Sequence, residues 1–173
     1  PKGRLSKVER RFLTLPWHQV REGVTVKLLE ESGEMLILAR SAARREKESA
    51  IRRKKLKKLY AGLAELRKQW PHRDKLLQRL GVLRKEAGRC SSLLDIQVPR
   101  EGEAVTVQTF HWKLKAEKFK AIARRDGQYL LRTNLTAEDP TVLWHRYIQL
   151  TQIEAAFKCL KSELAIRPVY HQI

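Results

Sequence analysis

The run Tyr147-Ile-Gln-Leu-Thr-Gln-Ile-Glu154-Ala-Ala-Phe-Lys158-Cys-Leu-Lys161 decides how this chain is read. Tyr147, Glu154 and Lys161 fall seven residues apart in a segment that reads as a helix. Seven positions return to within roughly 20° of the start, so the three project from one face. That face carries a phenol, a carboxylate and an ammonium, and Lys158 adds a second cation one turn from Glu154. A carboxylate flanked by cations suits a place where a divalent metal and a phosphate backbone meet. By spacing alone, Glu154 and Lys158 are equally an ordinary helix-stabilising pair, worth a few tenths of a kcal/mol.

Outward from this run the chain alternates strand and helix patterns. Leu143, Ile153, Phe157 and Leu160 supply a packing stripe for a helix that starts at Asp139-Pro140, with proline at the first turn, and extends to about Leu164. Before it, Gln128 to Arg132 reads as a strand, preceded by a short helix over 116–125 that ends at Asp126-Gly127. Further upstream, Leu94, Ile96 and Val98 alternate as a strand, and Val105, Val107, Thr109 and Phe110 resume the pattern after a Pro-Arg-Glu-Gly turn, giving strands over 93–110.

Residues 41–87 read as a helical hairpin. Ser41 is an N-cap; Ile51, Leu59, Leu63, Leu66 and Trp70 recur every three or four positions, with Leu56 partly filling one longer gap, and Pro71 stops the helix. Leu76, Leu77, Leu80 and Leu83 form the stripe of a second helix over 73–87, ended by Gly88. Val24, Val26 and Leu28 alternate with Thr25 and Lys27, and Met35 to Ala39 is a short apolar run. Glu31-Ser-Gly-Glu34 separates them, so 23–39 reads as a β-hairpin. The first twenty residues show no period. The fold class is therefore α+β.

The 173 residues hold 37 Lys and Arg against 19 Asp and Glu, a net charge of +18, with 42% hydrophobic residues. That hydrophobic content is enough for a core, and the imbalance points to a polyanionic partner, most often nucleic acid. Between Arg40 and Arg89 stand 18 Lys or Arg and only 5 Asp or Glu. Within that stretch Arg52, Arg53, Lys54, Lys55, Lys57 and Lys58 follow almost without interruption. An exposed helix usually mixes charges for pairing along its face, and this one does not. Attraction to phosphates accounts for it better than a solvated face, through contacts that position rather than read sequence. Phe110, His111 and Trp112 beside Lys113 and Lys115 could stack on unpaired bases or pack in a core.

Other features exclude more than they assign. Cys90 and Cys159 fit neither a metal spacing nor a disulfide framework, and His18, His72, His145 and His171 show no ligand spacing. There is no apolar run of about 18 residues and no signal peptide, so a membrane partner is not expected. The chain begins at Pro1 and its one methionine, Met35, lies well inside, which reads as a piece of a longer polypeptide.

The quoted run resembles the Tyr-x2-Arg-x3-Glu-x6-Lys signature of bacterial insertion-sequence DDE transposases of the insertion-sequence-four group. The strand Gly127-Gln-Tyr-Leu-Leu-Arg-Thr-Asn134 and the segment Lys161-Ser-Glu-Leu-Ala-Ile-Arg-Pro-Val-Tyr-His171 are also similar to these proteins. The resemblance is close over about 110–171 and looser upstream. It implies an RNase H-like core in which two aspartates and one glutamate hold two Mg²⁺ ions for attack on phosphodiesters. Glu154 then matches the metal-binding, catalytic glutamate, Tyr147 and Lys161 match contacts to transposon-end DNA, and Lys158 is a phosphate neighbour. Leu150 stands where the signature has arginine, which removes one expected phosphate contact.

The same resemblance implies that residues 1–110 form an insertion region and 111–173 the C-terminal part of the core, its late strand and glutamate-bearing helix. Transposon ends and target DNA, a second copy in a synaptic complex, and a bacterial cytoplasmic, nucleoid-associated setting also follow from it. Asp74, Asp95, Asp126 and Asp139 do not sit as core carboxylates, so both aspartates are expected to be missing and the chain to bind DNA without cutting it. The alternative is a non-catalytic, basic nucleic-acid-binding protein that uses the 41–87 helices.

Overall fold

A computed structural model describes residues 8–69, 71–136 and 139–163. Trp70 and the segment 164–173, with the Pro168 to His171 part of the resemblance, lie outside the described residues. The chain is α+β, and its larger sheet is antiparallel. It divides into two compact units, one of residues 1–41 with 129–173 and the other of residues 42–128. The second is inserted between neighbouring strands of the first. These divisions fall at 41/42 and 128/129, whereas the sequence reading sets a boundary at 110/111.

The first unit holds β1 (His18–Arg21), β2 (Val24–Glu31), β3 (Glu34–Ser41) and β6 (Gln128–Thr133), in the sheet order β1-β2-β3-β6. β2 and β3 are the hairpin expected over 23–39, paired in antiparallel register from Val24↔Ser41 to Glu31↔Glu34. Its two-residue turn places both Ser32 and Gly33 at positive φ, which matches the right-handed twist of the flanking strands. β1 is not legible in the sequence, because of its four residues only Val20 is buried.

Alternation along the hairpin sorts its side chains onto two faces. Val24, Val26, Met35, Ile37 and Ala39 form one core with Leu143 and Trp144 of the helix Pro140–Glu163. On the other face Leu38 packs with Phe12, and Lys27 is buried at 7% exposure. The Lys27 ammonium donates to the carbonyls of Phe12 (2.6 Å) and Leu13 (3.3 Å), at the end of the 3₁₀ turn Glu9–Phe12, and lies 5.1 Å from the centre of the Trp17 ring. Carbonyl dipoles and an aromatic face replace the water that burial removes.

The second unit contains α1 (Ala42–Gln69), α2 (Arg73–Ala87), β4 (Leu94–Gln97), β5 (His111–Leu114) and α3 (Ala116–Arg124); Pro140–Glu163 is then α4. The helical hairpin falls where Pro71 and Gly88 predict it. Leu59, Leu63 and Leu66 of α1 meet Leu76 and Leu80 of α2, and Phe110 and Leu94 complete the cluster. At the crossing Gly62 makes room for the Leu83 side chain, which a Cβ there would displace.

β4 pairs with β5 from Leu94↔Leu114 to Gln97↔His111. The strand expected over 105–110 is not formed. Thr106 and Thr109 instead build a turn: the Thr106 amide donates to Thr109 Oγ1 (2.8 Å) and the Phe110 amide to the Thr106 carbonyl (2.8 Å). Hydroxyls that serve the backbone locally compete with a strand ladder, and Val107 is left 56% exposed. No helix among the described residues is long and apolar enough to cross a membrane.

α4 begins on a cap. Asp139 Oδ1 accepts the Thr141 amide at 2.7 Å, and this bond, with a second from the Thr141 hydroxyl, holds the Asp139 carboxyl below its ordinary value. A group whose folded value is depressed stabilises the fold above its unfolded value and loses that contribution as pH falls through the folded one. The thermal midpoint of the wild-type chain should therefore drop below about pH 4 more steeply than that of Asp139→Asn, which keeps the cap but not the charge. Melting curves of both proteins across that range test this.

Candidate nucleic-acid interface

The buried stripe of α1 is Arg52, Leu56, Leu59, Leu63 and Leu66, spaced by four and three residues. The sequence reading puts Ile51 at the head of this stripe and Arg52 among the phosphate contacts. The helix turns the other way: Ile51 is 48% exposed and Arg52 only 8%. The Arg52 guanidinium grips Asp126 with both terminal nitrogens, Nη1 to Oδ1 at 2.7 Å and Nη2 to Oδ2. It also lies over the Phe119 ring at 5.2 Å. Donation to the Asp126 carboxylate raises the Arg52 pKa against the opposing effect of burial. Arg52 is therefore taken up inside the fold and is withdrawn from the expected interface.

A second contact secures the same turn, since Glu48 Oε2 accepts the Gly127 amide at 3.1 Å. Two side chains from the first half of α1 thus hold a segment more than seventy residues away. Nothing in the spacing of a lone aspartate before a glycine announces such a pairing.

The five remaining cations of the run, Arg53, Lys54, Lys55, Lys57 and Lys58, are all exposed. Two notches divide them. One, of about 210 Å³ between α1 and α2, is rimmed by Lys54, Lys55 and Lys58 over a floor of Leu59, Leu83 and Ala87. The other, of about 280 Å³ between α1 and α3, is lined by Ser49, Arg53 and Lys57, with Arg52, Leu56 and Phe119. Lys58 meets Glu86 at 2.9 Å, but both groups are so exposed that the pair holds the ammonium only weakly. Phe110 is fully buried and Trp112 half-buried under Arg67, 5.0 Å from the ring centre, so these rings pack inside the unit.

In the first unit, Glu154, Lys158 and Lys161 come together along one open depression of α4, with Phe157 and Ser162. Tyr147 does not join them. It is half-buried in an aromatic cluster, 5.3 Å from Trp144 and 6.1 Å from Tyr129 between ring centres. The packing stripe expected for this helix holds only at its start: Leu143 and Trp144 are buried, whereas Ile153, Phe157 and Leu160 are exposed. Among the described residues no hydrogen bond or ion pair reaches the Glu154 carboxylate, and no three His, Cys, Asp or Glu gather as metal ligands. Hard divalent cations require several oxygen donors. One carboxylate beside two ammonium groups does not supply them, so the described residues around Glu154 do not fit a magnesium site.

Comparison with protein-family models, with curated proteins and with solved structures finds no match to this chain.

The buried pair generates a stability test. Asp126→Ala strands the Arg52 charge in the interior and should cost about 3–5 kcal/mol, whereas the double change Arg52→Met with Asp126→Leu should recover most of that loss. Urea denaturation of the single and double variants checks both outcomes.

Proposed function

We propose that this chain is a DNA-binding part of an insertion-sequence DDE transposase, with the exposed cations of α1 on the phosphate backbone. In this reading β6 and α4 are the late strand and glutamate-bearing helix of an RNase H-like core. Glu154 is reserved there as one metal-binding carboxylate of the complete enzyme, which acts on transposon-end and target DNA as a synaptic dimer with Mg²⁺. The chain by itself binds DNA and does not cut it, because one carboxylate cannot hold the two ions such a reaction uses.

The observation that carries the reading is the convergence of Glu154, Lys158 and Lys161 on one exposed depression, in the spacing that resembles the transposase signature. The five outward cations of α1 support the DNA-binding half independently. They present the charge on a rigid helix whose inward face is already satisfied by leucines and by Arg52–Asp126.

A second reading, a non-catalytic basic nucleic-acid-binding protein, is favoured because no group of three His, Cys, Asp or Glu gathers at Glu154 among the described residues. The two diverge at that residue. In a complete transposase Glu154→Gln should abolish transposition while end binding stays within about twofold of wild type; wild-type transposition would leave only the second reading.

Both readings require salt-sensitive binding. Reversing Lys54, Lys55, Lys57 and Lys58 to glutamate should reduce the slope of log K against log salt by about 0.9 for every phosphate that is no longer neutralised. Fluorescence anisotropy on a labelled 30-base-pair duplex at several salt concentrations measures it. An unchanged slope would remove α1 from the interface.

A further inference from the structure

α4 carries an apolar stripe that no described element covers. Leu150, Ile153, Phe157 and Leu160 are each between 43% and 61% exposed. At about 100° per residue they fall within one sector about 80° wide, and from residue 150 to 163 no other side chain falls in it. Arg146 lies on the same line one turn earlier, so the stripe begins just past Leu143, Trp144, Tyr147 and Ile148, which rest on the sheet.

The spacing indicates the kind of surface that fits. A helix lying on a globular core shows an apolar face of about 100° or more, which takes a third column of residues. Steps of three, four and three residues, with nothing else in the sector, make the narrower seam along which one helix meets another. Leu164, outside the described residues, continues the step of four in the sequence. Four large apolar side chains in a row on so charged a chain are a patch of the kind that marks an interaction site.

The edges of the stripe identify the other helix. Glu154 and Lys161 lie on one edge, about 20° apart in direction, and Gln149 and Ala156 lie on the other. Neither Glu154 nor Lys161 has an ion-pair partner among the described residues. When two copies of one helix pair antiparallel, a two-fold axis perpendicular to both brings each edge against its own copy in reverse order. Glu154 then faces Lys161 of the second copy, Lys161 faces its Glu154, and the neutral edge meets itself. Phe157 lies near the axis, against Leu160 of the second copy. In a parallel pair opposite edges meet, and both charges face only Gln149 or Ala156. The stripe is therefore complementary to itself in one direction alone.

We infer that α4 pairs antiparallel with α4 of a second copy of this chain, through the stripe from Leu150 to Leu160 and two Glu154–Lys161 ion pairs. The inference goes beyond the DNA-binding reading and does not rest on it, since α1 belongs to the other unit. In the paired chain Glu154 faces an ammonium group; the metal-binding role proposed above belongs to the complete enzyme. Exposed ion pairs contribute little affinity, so the apolar seam holds the copies together and the charges set their direction.

Sedimentation equilibrium of the whole chain, without DNA and at physiological salt to screen the repulsion of two +18 chains, tests this. The expected result is a concentration-dependent dimer of twice the 20.2 kDa chain, dissociated by Phe157→Asp with helicity unchanged by circular dichroism. Glu154→Lys and Lys161→Glu should each weaken self-association by about fivefold or more, because like charges then meet at both ion-pair positions. Mixed together, these two variants should form a heterodimer of wild-type strength, since every pair on the charged edge is again opposite in sign. A chain that stays monomeric, whether its stripe remains bare or carries it onto anionic vesicles, overturns the inference and leaves the reading of α1 untouched. A dimer indifferent to Phe157→Asp, or charge variants that fail to restore each other, also overturns it.

Discussion

The buried ion pair between Arg52 and Asp126 sets the rotation of α1, and the rest of the second unit follows from that rotation. The first third of this helix has little apolar surface to offer a core. Its stripe of leucines begins only at Leu56, and Arg52 continues the stripe by one more turn as a charge rather than a hydrocarbon. Desolvating two ions is expensive, and a bidentate fork with an aromatic ring against it is the geometry that offsets most of the cost. Glu48 then holds the Gly127 amide from the preceding turn of the helix, so the segment that leads into β6 is fixed at two points.

The same rotation determines what the helix shows to solvent. With Arg52 inward, its neighbours in the basic run fan over the outward half of the helix. Arg53 and Lys57 are carried to one side and Lys54, Lys55 and Lys58 to the other. Had Ile51 headed the stripe, the cations would have turned by about 100° and Arg52 would have joined them. An interior electrostatic contact thus shapes the distribution of charge on the exterior. It also places one of the chain's cations where its charge is neutralised, which eases the self-repulsion that +18 imposes on a compact unit.

Much of this architecture is written locally. Proline and glycine mark the ends of the helical hairpin, leucine spacing marks its seam, and alternation marks β2 and β3, so those elements appear where the sequence puts them. What is not legible depends on partners distant in sequence or on side chains that replace backbone bonds. β1 has one buried residue and no period of its own; it exists because β2 offers an edge. The apolar alternation of 105–110 is overruled by two threonines that close a turn on themselves. Arg52 reads as one more surface cation because its partner lies 74 residues away.

The helix α4 shows the other limit of reading by period. Seven residues return to one face, yet they advance about 10.5 Å along the axis, far enough to pass from one environment to another. Tyr147 lies where the helix still rests on the sheet, and its ring packs with Trp144 and Tyr129. Two turns further on Glu154, and four turns on Lys161, stand beside exposed Ile153 and Phe157, with no described element over them. A shared face is therefore not a shared site. The carboxylate and the two lysines keep their chemistry in common, while the phenol serves the fold. The exposed cations of α1 belong to the other unit and share no residue with this depression.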